Sequence, residues 1–142
     1  MPGHAPAPVV AKVLDSVDQT FDTLRSRGAV LYGREGCVWT QRQRALLGPR
    51  ADAVTYVNCD AEARRCSAAG VLAVPAWGLG RREGSGGGGA AAAAGPIVVG
   101  FQRMPQLLAL AFADGAALER LSKSSLEGVA GAGGSRGGEA CV

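Results

Sequence analysis

Two short apolar runs, Ala29-Val30-Leu31-Tyr32 and Val54-Thr55-Tyr56-Val57, flank a helix-forming stretch, and that spacing constrains the chain more than any other feature. Each run is too short for three helical turns and is rich in β-branched or aromatic residues, so each reads as a strand. Between them, the segment from about Val38 to Leu47 carries Gln, Arg, Ala and Leu and is closed by Gly48-Pro49, which predicts a helix. Strand, helix and strand make a βαβ unit, whose crossover sets the two strands parallel and nearby in one sheet.

The flanks extend this unit. Val10, Val13, Leu14, Val17, Phe21 and Leu24 recur at helical steps with Asp15, Asp18, Gln19, Asp22 and Arg25 between them, giving an amphipathic helix ended by Gly28. Asp60 is placed to cap a helix over Ala61 to Ala69, which Gly70 stops. Val71 to Trp77 leads through Pro75 into a third apolar strand, and Ile97-Val98-Val99 gives a fourth. Met104 to Leu121 predicts a terminal helix with a break at Gly115. The expected fold class is α/β, a central mixed β-sheet of about four strands flanked by helices.

A chain of 142 residues supports one domain and one core. The expected division is a flexible N-terminus over 1–8, a domain over 9–124 with a low-complexity insert at 81–95, and a disordered Gly-rich tail over 125–142. The formal charge of +3 is mild and the arginines are scattered without interleaved aromatics, which argues against nucleic acid as a partner. No apolar run approaches the roughly 20 residues of a membrane helix, so no stable membrane insertion is expected. The first eight residues lack the basic start and long apolar segment of a secretory signal, which leaves a soluble, cytoplasmic location as the default. Gly84 to Gly89 lacks the Gly-Lys-Ser or Gly-Lys-Thr ending of a phosphate loop. His4 is the sole histidine and no Cys-x-x-Cys pair exists, so no metal site is expected.

The order of elements, Cys37 between a buried strand and a helix, and Val74-Pro75 just before a strand together resemble the thioredoxin superfamily over roughly residues 10–121. More narrowly, Tyr56-Val57-Asn58-Cys59-Asp60, Cys66-Ser67-Ala68-Ala69-Gly70-Val71 and Val74-Pro75-Ala76-Trp77 look like the thioredoxin-like domain fused to vitamin K epoxide reductase homologues. The resemblance implies a thioredoxin-like fold with Cys37 at the nucleophile's position. It implies a cis bond at Val74-Pro75 that exposes backbone to an extended substrate. It also implies that Cys59 and Cys66 can form a second disulfide, holding a helix to the sheet or relaying electrons to Cys37; two buried free thiols are the alternative. That family carries Cys-x-x-Cys, whereas this chain has Cys37-Val38-Trp39-Thr40 and lacks the membrane reductase domain.

A thiol attacks disulfides as its thiolate, and a helix N-terminus favours that form because unpaired amides and the helix dipole stabilise negative charge. Cys37 is placed for this effect. Arg34, Arg42 and Arg44 lie close in sequence to add positive potential, and Thr40 is positioned to donate a hydroxyl hydrogen bond to the sulfur. Without a second cysteine in the motif, release of a mixed disulfide calls for an external thiol such as glutathione, or for a different cysteine. Cys141 is either an exposed thiol without a role or a residue that swings back to resolve a disulfide on Cys37. Trp39 either contacts a client or packs on the sheet edge, and Trp77 reads as core.

Two functions remain. One is a monothiol protein-disulfide oxidoreductase or isomerase with catalytic Cys37 and Thr40, a substrate groove at Trp39, Val74 and Pro75, and client protein thiols or disulfides as partners. It needs no bound cofactor. The other is a redox-inactive binding or chaperone module that keeps the groove. The sequence leaves the oligomeric state open.

Overall fold

A computed structural model describes residues 8–79, 95–130 and 139–142. Outside the described residues lie nearly all of the expected insert at 81–95, most of the expected N-terminal segment, and 131–138 of the expected tail. The order is α1 (Pro8–Ser26), β1 (Val30–Gly33), α2 (Val38–Leu47), a 3-10 helix (Gly48–Ala53), β2 (Thr55–Asn58), α3 (Ala63–Ala69), β3 (Ala76–Gly78), β4 (Ile97–Val99), α4 (Met104–Phe112) and α5 (Gly115–Ala130).

The strands form one sheet in the order β2-β1-β3-β4. β1 and β2 run parallel, as the crossover requires, while β3 is antiparallel to β1 and β4 antiparallel to β3. This is the mixed α/β arrangement expected from the sequence. Side chains alternate across the sheet with period two. Leu31, Trp77 and Val98 enter one core with Phe21 and Leu24 of α1 and Leu107 and Leu110 of α4. Tyr32, Val57, Ala76, Ile97 and Val99 enter the opposite core with Cys66 of α3. The side chains of Val10, Val13 and Leu14 lie outside the described ones.

Two local expectations are corrected. Asp60 does not cap α3: the Asn58 side chain accepts the Asp60 amide at 2.9 Å, and α3 begins later, with Glu62 at its N-cap. Asn58 offers this local turn bond, which competes with an earlier helix start. The break expected at Gly115 is present and divides the terminal helix into α4 and α5. The second continues past Leu121 through the start of the tail expected at 125–142. Its stability comes from an apolar and hydroxyl face whose serines look, by composition, like linker residues. Ser122 Oγ donates to Ile97 O at 2.6 Å and Ser125 Oγ accepts Val99 N at 2.9 Å. These bonds satisfy the outer edge of β4, which would otherwise present unpaired backbone groups. The chain end, Glu139–Val142, is ordered as well, and Cys141 forms an antiparallel bridge with Val74.

Gln43 of α2 is fully buried in the centre of this arrangement. Its Oε1 accepts Trp77 Nε1 at 3.2 Å and Gln102 N at 2.6 Å, and its Nε2 donates to Gln102 O at 3.0 Å. Buried polar groups are tolerated when paired in this way. Gln43→Leu strands two buried donors, each costing about 1–3 kcal/mol. We expect the variant to lose about 2–4 kcal/mol of stability, measured by urea denaturation with the disulfides intact.

Candidate functional site

Cys37 is the N-cap of α2, in extended conformation, and the chain enters the helix immediately after it. Its carbonyl accepts the Gln41 amide at 3.1 Å, the first helical hydrogen bond. The sulfur therefore stands at the positive end of a ten-residue helix. It is buried, and it is disulfide-bonded to Cys141, 104 positions away, with the two Cα atoms 6.1 Å apart. Of the two sequence readings of Cys141, the structure places this residue against Cys37. Sequence offered this pairing as one of two readings and could not choose it, because a long-range register leaves no local pattern.

The chain end reaches Cys37 through an isolated antiparallel bridge to Val74. Cys141 N donates to Val74 O at 2.6 Å, and Val74 N donates to Cys141 O at 2.8 Å. The Val74–Pro75 bond is cis, and Pro75 O accepts Gly100 N at 2.7 Å. Two residues before Cys141, Glu139 O accepts Phe101 N at 3.0 Å. The Glu139 carboxylate meets Arg103 in a bidentate pair, Nη1 to Oε1 at 2.9 Å and Nη2 to Oε2 at 2.6 Å. Those hydrogen bonds hold the Glu139 carboxyl below its ordinary value against the opposing effect of burial, with the charges of Arg103 and Arg42 reinforcing them. Arg103 is fixed in turn, since its amide donates to Gln106 Oε1 at 2.8 Å at the start of α4.

Trp39 is half-buried beside this groove. Its ring lies 5.8 Å from that of Phe101, and the Arg42 guanidinium sits 4.7 Å from its centroid. It packs against the core cluster that contains Cys37, so the packed reading describes this state. Trp77 is core, as expected.

Thr40 points into the interior of the fold. It is fully buried, and its hydroxyl accepts the Arg34 amide at 3.4 Å. A Cβ on Gly33 would collide with Thr40 Cγ2 and meet the Tyr56 ring at 3.0 Å, so Thr40 fills the space that Gly33 leaves. Its side chain packs α2 onto the end of β1. The arginines differ from expectation. Arg34 pairs with Asp60 at 3.7 Å and Arg44 with Glu35 at 3.0 Å, which offsets their field at Cys37. Glu35 further accepts the Tyr56 hydroxyl at 3.0 Å; burial first, then this bond, pushes the Tyr56 phenol up to about 12.

Cys59 and Cys66 form the second disulfide, with Cα atoms 5.7 Å apart, and tie the end of β2 to α3. A cleft of about 220 Å³ lies beside it, walled by Arg34, Cys59, Cys66, Val71, Val74 and Cys141. The two disulfides thus share one concavity. Among the described residues no cluster of His, Cys, Asp or Glu could hold a metal ion, and no helix is long and apolar enough to cross a membrane. Sequence alone does not single out Glu139 and Arg103. The available signal is a carboxylate standing beside a cysteine in an otherwise Gly- and Ala-rich stretch.

No protein-family model matches the chain, and no solved structure matches it significantly.

Two measurements follow from the geometry. With Cys141→Ser, the freed Cys37 should alkylate at neutral pH faster than glutathione does, and adding Thr40→Val should leave that rate within about twofold, because the hydroxyl serves the Arg34 amide. A large fall in rate would restore the thiolate-supporting role of Thr40. Because the Glu139 carboxyl is depressed, its contribution to seating the chain end is complete above the ordinary value of 4.5 and is lost as pH falls through its lower folded value. The Phe101 amide resonance should therefore shift on acidification below 4.5 in the native chain and stay in place in Glu139→Gln.

Proposed function

We propose that this chain is a thioredoxin-like thiol-disulfide exchange protein in which Cys37 is the nucleophile and Cys141 the resolving thiol. The observation that carries the reading is the Cys37–Cys141 bond at the N-terminus of α2, made by a chain end paired to the backbone of Val74. The order β2-β1-β3-β4 with helices on both faces, and Pro75 directly before β3 with Val74 paired to the residue bonded to Cys37, support a thioredoxin-like fold.

In the reducing direction the Cys37 thiolate attacks a client disulfide, forming a mixed disulfide and releasing one client thiolate. The Cys141 thiolate then attacks Cys37 Sγ, forming the Cys37–Cys141 disulfide and releasing the second client thiolate. Two electrons pass to the client, and a low-molecular-weight thiol such as glutathione or a protein dithiol restores the reduced pair. The reverse sequence oxidises a client dithiol. Because Cys141 supplies the second sulfur, an external thiol is needed to recharge the pair and not to release each client. Thr40 contributes by holding α2 against β1, which fixes the position of the nucleophile. The two disulfides favour work in an oxidising compartment over the cytoplasmic default, since reducing compartments keep such thiols open.

Mixed-disulfide trapping tests this reading. Cys141→Ser should accumulate covalent adducts between Cys37 and clients, and Cys37→Ser should abolish both the adducts and disulfide turnover. Client binding that is unchanged by Cys37→Ser, with no adducts in Cys141→Ser, would instead identify a binding module.

A further inference from the structure

The chain end lies in the groove as a peptide does. Its backbone is extended, Cys141 pairs with Val74 in both directions, and Glu139 O takes the Phe101 amide. One side chain is read specifically: the Glu139 carboxylate is gripped by both terminal nitrogens of Arg103. Arg42, stacked on Trp39, adds a second positive charge acting on the same carboxylate. The backbone contacts fit any sequence, whereas the planar guanidinium fork selects a carboxylate. The spacing is fixed too, because the acidic residue stands two positions before the cysteine that meets Cys37.

We propose that Val74, Phe101 and Arg103 form a peptide subsite selecting client segments with an acidic residue two positions before the reacting cysteine, and that Glu139–Val142 fills it as a tethered occupant. This rests on the exchange reading given under Proposed function and adds the substrate class to it. The client enters as a disulfide whose cysteine sits in the place of Cys141. Cys37 thiolate attacks that sulfur, the Cys37–client bond forms, and the client's other sulfur leaves as thiolate. Return of the chain end brings Cys141 thiolate onto Cys37 Sγ and expels the client thiolate. Glu139 reclaims Arg103 in the same movement. Cys141 thus approaches Cys37 Sγ in line with the client sulfur, and the chain end takes the subsite as the client thiolate and its carboxylate leave.

The test uses the full chain carrying Glu139→Gln and Cys141→Ser, which leaves Cys37 free and removes the internal carboxylate. The probes are two synthetic peptides, acetyl-Ala-Glu-Ala-Cys-Val-amide and its Lys counterpart, each with its cysteine disulfide-linked to thionitrobenzoate. Attack by Cys37 on the peptide sulfur releases the coloured thiol, so the rate is read directly. The Glu peptide should react about threefold or more faster at low salt, with the preference shrinking as salt is raised. Adding Arg103→Gln should abolish the preference, and adding Arg103→Glu should reverse it. Equal rates for both peptides on a reactive Cys37 would overturn the subsite and leave the exchange chemistry standing. If neither peptide reacts, the exchange reading falls and the subsite falls with it.

Discussion

The buried amide of Gln43 fixes the relative positions of the parts from which the site is made. It stands on α2, whose first turn carries Cys37, and its oxygen takes the indole of Trp77, two residues beyond Pro75. Both its oxygen and its nitrogen engage the backbone of Gln102, which lies between Phe101 and Arg103. One side chain thus joins the helix that begins at Cys37, the strand after Pro75 and the loop against which the chain end lies. Such a hub works in a buried setting, where an unmade hydrogen bond is costly and the geometry is correspondingly well determined. The apolar alternation of the sheet builds two cores, but neither core alone would align these three backbone segments.

The chain end is held by two kinds of bond with different strengths. Its backbone contributes three hydrogen bonds, two to Val74 and one from Phe101, at about 0.5–1.5 kcal/mol each. Ordering a short segment costs about 1–2 kcal/mol for every residue of backbone. Noncovalent seating is thus close to balance, and the Arg103–Glu139 pair lies at the surface, where solvent screens it. The disulfide is what makes the seat persistent. Once it is reduced, an extended peptide of similar chemistry competes on nearly equal terms, which is the condition a groove serving both a tether and a client has to meet.

Much of the fold is legible because its signals are local. The period-two alternation that sends Leu31 one way and Tyr32 the other, and the left-handed Gly70 at the end of α3, follow from residues next to each other. Cys37 at a helix start is legible for the same reason. What sequence misplaced depends on distant partners. Gln43 looks like one more polar residue on a helix until Trp77 and Gln102 close on it. Ser125 falls in a stretch that reads as Gly-rich tail until the Val99 amide at the edge of β4 meets its hydroxyl. Thr40 occupies the place where a second cysteine would stand, which suggests contact with the sulfur; its burial against Gly33 is a matter of packing between β1 and α2 and leaves no mark in the motif.

The arrangement of the cysteines constrains how their two pairs communicate. Cys59 and Cys66 are both buried, so an external thiol meets them chiefly through the cleft that they help to wall. Cys141 stands on that same wall, whereas Cys37 does not. Exchange requires one sulfur to approach another along the disulfide axis, and of the Cys37–Cys141 pair it is Cys141 that walls the cleft. In the proposed exchange cycle, transfer of electrons between the two pairs would run through Cys141 and depend on where the chain end lies. A client occupying the groove in its place would separate the pairs while the mixed disulfide lasts. Return of the chain end would restore both the second thiol for Cys37 and the connection to Cys59 and Cys66.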